Sequence, residues 1–103
     1  MVVILSSEIQ FESILQSNPL VVVDFTATWC GPCKVVAPKF EALGEKYKDV
    51  VFVKIDIDQF QKITNDCGIK SMPTFIIYKS AKKVSQVVGA NIVKVEQELL
   101  KNF

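Results

Sequence analysis

Histidine is absent from all 103 residues. That removes Ser-His and Cys-His catalytic pairs and every imidazole metal ligand. An excess of one charge is missing as well: twelve basic residues stand against eleven acidic ones, a formal +1. With no basic stripe, nucleic acid and acidic membrane surfaces are not expected partners. No apolar run approaches the ~18 residues that a membrane-spanning helix needs. The N-terminal run Val2-Val3-Ile4-Leu5 lacks the basic start and the roughly 7–15 apolar residues of a secretory leader. No repeat, low-complexity tract or linker divides the chain, so one domain over residues 1–103 is expected. Cysteine is scarce and odd in number, three in all, which argues against a disulfide framework. The expected location is cytoplasmic, where most thiols are kept reduced.

Two of the three cysteines stand close together, in Trp29-Cys30-Gly31-Pro32-Cys33-Lys34. They follow the apolar run Leu20-Val21-Val22-Val23-Asp24-Phe25, which reads as a strand, and they precede a helical pattern. The first turn of a helix carries unpaired N–H groups and the positive end of the macrodipole. A thiolate, the reactive form of cysteine, is favoured there. Positions i and i+3 share a helix face, so Cys30 and Cys33 are able to close a small disulfide. A zinc site normally needs four ligands, and Cys67 is only a third, on a different helix face. As a structural staple, so short a loop stabilises by at most roughly 2 kcal/mol. Two packed core cysteines do not suit an intervening Gly31-Pro32, which fits a turn into a helix. Dithiol–disulfide exchange is the reading that a C-x-x-C beside a βαβ pattern supports best.

The rest of the chain alternates strand and helix patterns. Val2 to Leu5 reads as a short buried strand, and Ser7 to Gln10 has the form of a capping box. The helix that follows carries Phe11, Ile14 and Leu15 on one face and ends at Asn18-Pro19. Leu20 to Thr26 is nearly all apolar, as a strand covered on both faces should be. A helix from about Cys33 to Lys48 shows Val36, Phe40, Leu43 and Tyr47 on one face, with Pro38 expected to kink it. Val50 to Asp56 is a third strand. Asp58 to Gln61 offers a second capping pattern, with Phe60, Ile63 and Cys67 on one helical face and Gly68 as a stop. Strands Thr74 to Tyr78 and Lys83 to Val88 flank a Ser80-Ala81 turn. Gly89-Ala90-Asn91 then precedes a helix bearing Val95, Leu99 and Phe103. The order β-α-β-α-β-α-β-β-α implies three parallel strands and an antiparallel hairpin in one mixed sheet with helices on both faces. Sites in such sheets lie beyond the carboxyl ends of strands, where Cys30 falls.

The chain resembles the thioredoxin family. The likeness rests on Asp24-Phe25-Thr26-Ala27-Thr28-Trp29-Cys30-Gly31-Pro32-Cys33-Lys34, on Lys54, on Ser71-Met72-Pro73-Thr74-Phe75 and on Gly89-Ala90. Gly31-Pro32 between the cysteines is similar to thioredoxins, whereas glutaredoxins and disulfide isomerases usually carry other pairs. Thr26-Ala27-Thr28 and Ser71-Met72 resemble eukaryotic cytosolic members. Ala81 stands where many relatives have a hairpin glycine, which bears on the turn and not on the chemistry. The resemblance implies an α/β thioredoxin fold with a mixed five-stranded sheet, and a general protein-disulfide reductase active in electron transport and cell redox homeostasis. It implies Cys30 as nucleophile and Cys33 as resolving thiol, through a mixed disulfide. No bound cofactor is implied beyond the redox-active Cys30–Cys33 disulfide. The implied electron donor is a flavin-bearing thioredoxin reductase that uses NADPH. The implied acceptors are disulfide-containing proteins such as peroxiredoxins and reductases, met by a monomer.

Several residues carry two readings. Asp24 is a charge in an apolar strand, so burial should raise its pKa and Lys54 on the neighbouring strand should oppose the shift. It is either a paired structural carboxylate or, as the resemblance implies, the proton acceptor for Cys33. Pro73 is either a plain strand-entry proline or follows a cis Met72–Pro73 bond. The second arrangement would hold Met72's backbone groups near Cys30, free to pair with an extended substrate. Trp29, Gly31, Pro32, Met72, Pro73, Gly89 and Ala90 then form a substrate surface, although Trp29 alone would also suit a core. Cys67 is core or a regulatory thiol. For the whole protein, the rivals are a binding module whose cysteines are incidental, and an oxidase or isomerase.

Overall fold

The longest apolar strand occupies the middle of the sheet. In the computed structural model, which describes residues 1–103, the elements are β1 (Val2–Ile4), α1 (Glu8–Ser17), β2 (Leu20–Thr26), α2 (Gly31–Lys46), β3 (Val51–Asp56), α3 (Gln61–Asp66), β4 (Thr74–Lys79), β5 (Lys82–Val88) and α4 (Ile92–Leu100). The five strands lie in the order β1-β3-β2-β4-β5. β3 runs parallel to both β1 and β2, β4 runs antiparallel to β2, and β4–β5 is an antiparallel hairpin. This is the expected mixed five-stranded sheet. β2 is covered on both faces, which explains why Val21, Val22, Val23 and Phe25 are all buried.

Alternation along the strands sorts the core into two layers. Val21, Val23 and Phe25 join Val53, Ile55 and Ile76 beneath α1 and α3, where Phe11, Phe60 and Ile63 pack. Val22, Phe52, Phe75 and Ile77 face the other way, against Val36, Phe40 and Leu43 of α2 and Val95 and Leu99 of α4. Asp24 has the parity of Val22, and Lys54 that of Phe52. Both therefore lie on the α2 side of the sheet, and they are register partners across β2 and β3.

Local signals behave largely as the sequence suggests, with instructive differences. Gln10 N–H donates to Ser7 Oγ at 3.1 Å, but the return bond to the Gln10 side chain comes from Ser6 rather than Ser7. α2 begins at Gly31, earlier than the apolar periodicity indicates, and its helix runs unbroken through Pro38. β1 is not a buried strand: it sits at the sheet edge and Ile4 is exposed, while Leu5 just beyond it is buried. Asp58 does not cap α3, whose N-cap Phe60 has no side-chain cap bond. Asp56 acts instead, accepting from Asp58 N–H at 2.9 Å in an Asx turn. Gly68, at φ +68, stops α3 as expected. Asn91 caps α4, accepting from Lys94 N–H at 3.0 Å. Phe103 lies beyond that helix, exposed, with its ring edge-on to Tyr47.

The hairpin turn is the strained point of the backbone. Ser80 and Ala81 have φ of +52 and +66. A two-residue connection with both central residues in the left-handed region matches the right-handed twist of the strands, and asparagine and glycine are the residues that suit it. Neither is present. The register shifts by one residue between Ile77↔Ser85 and Tyr78↔Lys83, which leaves Val84 as a bulge.

Candidate active site

The end of β2 turns into the start of α2 within four residues; Cys30 closes that turn and Cys33 lies in the first turn of the helix. Cys30 is the N-cap of α2, in an extended conformation, and its Sγ accepts from the Cys33 N–H at 3.3 Å. Pro32 occupies the first helical turn, where its missing N–H removes no helical bond. The two cysteines are joined as a disulfide, with Cα atoms 5.3 Å apart. No acidic residue stands in the first turn of α2. A thiolate formed at Cys30 on reduction thus meets free N–H groups and the positive end of the helix, with no acidic side chain in that first turn to oppose it. Cys30 is less open than an exposed helix start suggests: it is 6% exposed, against 2% for Cys33. The cause is packing, since Ala27, Cys30 and Cys33 form a small apolar cluster with Ile57 and Met72 against it.

Two residues before the end of β2, on the α2 side of the sheet, lies an unpaired carboxyl group. Asp24 is 0% exposed and neither of its side-chain oxygens has a hydrogen-bond partner. Burial pushes its pKa up to about 7, and the positive charge of Lys54 pulls the other way without prevailing. A carboxyl group in this state exchanges its proton near neutrality. Lys54 also lines a cleft of about 270 Å³, together with Thr26, Cys33, Lys34 and Ala37. Cys33 therefore has a solvent-facing approach from the Lys54 side of the sheet. No cluster of three or more histidine, cysteine or acidic side chains is placed to hold a metal.

Around the disulfide, Trp29 is 63% exposed and Gly31, Pro32 and Ala90 are exposed, while Met72 and Gly89 are half-buried. Pro73 is buried below them, and the Met72–Pro73 bond is cis. Gly89, at φ +97, donates its N–H to the Pro73 carbonyl at 2.8 Å, which joins the end of β5 to the Met72 loop. One partner of this region is not visible from sequence. The Trp29 indole N–H donates to Asp58 Oδ2 at 2.8 Å across 29 positions. The sequence pattern suggests Asp58 as a helix cap, and only the meeting of the β2–α2 and β3–α3 loops reveals its partner. Cys67 is half-buried, not fully inside, and its Sγ lies 3.5 Å from the Tyr78 hydroxyl. It caps the C-terminal end of α3 and packs on the α1–α3 side of the core, outside the cluster that holds the disulfide.

Comparisons with known proteins agree with this geometry over nearly the whole chain. Residues 2–102 match the family model described as Thioredoxin. Thioredoxin-1 of Schizosaccharomyces pombe is 46% identical over 98 residues, which cover 95% of each chain. A solved Plasmodium falciparum thioredoxin superposes with a TM-score of 0.92 at 43% identity, covering 97% of this chain and 98% of that one. A third similar chain comes from structural work on thiol resolution in a yeast mitochondrial 1-Cys peroxiredoxin via glutathione/thioredoxin systems. Its TM-score is 0.91 at 34% identity, with 97% of this chain and 94% of that one covered.

Proposed function

The chain belongs to the thioredoxin family, and on that premise we propose how its residues divide the work of the family reaction. The activity itself is thiol–disulfide exchange: the protein is a protein-disulfide reductase that participates in cell redox homeostasis, with the Cys30–Cys33 disulfide as its redox centre and no bound cofactor. Its partners are disulfide-bearing substrates and a reductase that restores the dithiol.

In the proposed mechanism the Cys30 thiolate attacks one sulfur of a substrate disulfide. The substrate's other sulfur leaves as a thiolate and takes a proton, and Cys30 is left in a mixed disulfide. Cys33, as thiolate, then attacks the Cys30 sulfur, forms the internal disulfide and releases the second substrate thiol. Two electrons pass to the substrate. Asp24 accepts the Cys33 proton, since its raised pKa matches that task, and Lys54 keeps the carboxylate form within reach near neutral pH. Trp29, Gly31, Pro32, Met72, Pro73, Gly89 and Ala90 form the surface on which the substrate strand docks. The single observation that carries this division is the position of Cys30 as N-cap of α2 with Cys33 one turn inside.

The same reading assigns the finer partners: a flavin-bearing thioredoxin reductase fed by NADPH as donor, and peroxiredoxins and reductases as acceptors. The similarity to a chain studied with a yeast peroxiredoxin supports the first class of acceptor. We further assign one domain over residues 1–103, acting as a monomer in the cytoplasm; no helix is long and apolar enough to cross a membrane. The testing experiment is a trap. Cys33→Ser should accumulate a covalent mixed disulfide with a protein substrate, and Cys30→Ser should accumulate none. The reverse pattern would overturn the assignment of the two thiols.

A further inference from the structure

Thr74 begins β4, with Phe25 and Val88 as register partners. It is 1% exposed, and its Oγ1 donates to the Ser71 carbonyl at 2.6 Å. A hydroxyl at that depth is expected to have a partner, but the choice of partner has consequences. The bond closes a short span over Met72 and Pro73. The far end of the span is tied by the Gly89 N–H on the Pro73 carbonyl at 2.8 Å. Met72, between the two ties, packs its side chain against the Ala27–Cys30–Cys33 cluster. Its own N–H and carbonyl lie outside the regular elements and take part in none of the backbone bonds of the turns and loops.

We infer that Thr74 is a positioning residue: its hydroxyl holds the Ser71–Pro73 span so that the unpaired backbone groups of Met72 are presented to an extended substrate strand. This rests on the reading above that Met72 belongs to the substrate surface. Two backbone groups that are already fixed bind an incoming strand without the ordering cost that a loose loop incurs. The hydroxyl touches neither substrate nor sulfur, so its effect falls on substrate capture and not on the thiols.

The test is single-turnover reduction by pre-reduced protein, comparing the unaltered chain, Thr74→Val and Thr74→Ser. Three disulfides are used: a disulfide-linked peptide, the same peptide with the amides flanking its cysteine N-methylated, and dithiobis(nitrobenzoate), which has no peptide backbone. Thr74→Val, close in shape to threonine, should raise the half-saturating concentration of the unmethylated peptide by roughly 3–10-fold, the worth of one net hydrogen bond, with the limiting rate little changed. It should leave the methylated peptide and the aromatic disulfide as they were, and Thr74→Ser should restore the unaltered behaviour. If N-methylation has no effect on the unaltered protein, the Met72 reading fails and takes this inference with it. If N-methylation matters but Thr74→Val does not, the inference alone is overturned. Equal slowing of all three disulfides by Thr74→Val also overturns it, because the residue would then act on the fold or the thiols.

Discussion

Replacing Asp24 by asparagine should make the stability of the oxidised protein much less dependent on pH. Asp24 is fully buried and unpartnered, and its pKa is about 7 in the folded chain against an ordinary value of 3.8. Between about pH 4 and pH 7 the folded chain holds a proton at Asp24 that the unfolded chain has already released. More protons are bound when folded, so stability falls as pH rises across that window and levels off above it. A displacement of roughly 3 pH units, at about 1.4 kcal/mol each, amounts to a loss of about 4 kcal/mol, a large part of a typical domain's stability. Asparagine does not titrate. Its buried amide lacks partners as the acid does, so it adds an offset of roughly 1–3 kcal/mol that is constant with pH. The stability of Asp24→Asn minus that of the unaltered chain should therefore increase by about 4 kcal/mol between pH 4 and pH 8. Urea unfolding at each pH measures it. The oxidised form is the right one to use, because with Cys30 and Cys33 in a disulfide neither thiol titrates. A difference that stays flat from pH 4 to pH 8 would refute the reasoning, because it would mean that the carboxylate is solvated or paired. On the same variant, resolution of the Cys30 mixed disulfide should slow, most strongly at and below neutral pH. Unchanged resolution across pH would leave Asp24 a structural residue only.

Three further outcomes are expected. Ala81→Gly should stabilise the protein by about 0.5–1 kcal/mol, because a left-handed non-glycine residue costs roughly 1–2 kcal/mol and the added freedom of glycine when unfolded returns only part of that; the melting temperature should rise by about 3–6 °C, and a lower one would mean that the turn at φ +66 carries no strain. Trp29 is the sole tryptophan, so Asp58→Ala, which removes its indole partner, should change the emission and anisotropy of the native protein and lower activity on protein disulfides roughly two- to tenfold, while Asp58→Asn, which keeps an acceptor oxygen, should preserve both; identical spectra for all three chains would remove the contact from the account. In the reduced protein, Cys67 should react with a thiol reagent far more slowly than Cys30 although it is the more exposed of the two, since it lies at the negative end of α3 rather than the positive start of α2 and so has less thiolate; mass-resolved labelling over time checks this, and comparable rates, or a dimer linked through Cys67, would favour a regulatory thiol.

What the sequence determined by itself is whatever short-range chemistry dictates. Period-two and helical apolar patterns are local, so the strand Leu20–Thr26 and the two helix faces around Val36 and Val95 can be read directly. Caps and stops act within four residues, which is why Ser7, Asn91 and Gly68 behave as their types suggest. The redox site belongs to the same class, because the pairing of Cys30 with Cys33 and the field of the helix start both arise inside one turn. Even the raised pKa of Asp24 follows from a charge placed in a run that must be covered on both faces. Tertiary structure decided the contacts between loops and the edges of the sheet. β1 pairs with β3 rather than β2, which places it at an edge and exposes Ile4, and no periodicity in a three-residue strand specifies that. Asp58 meets Trp29, and Thr74 secures the span that carries Met72, because strands brought together by burial deliver their connecting loops to one end of the sheet. Cys30 lies deeper than a helix start implies for the same reason: Met72 and Ile57 reach it from distant parts of the chain and exclude water once the sheet is assembled. Local propensity acts over a few residues, whereas packing acts between whichever surfaces must leave water together, and that selection exists only in the folded chain.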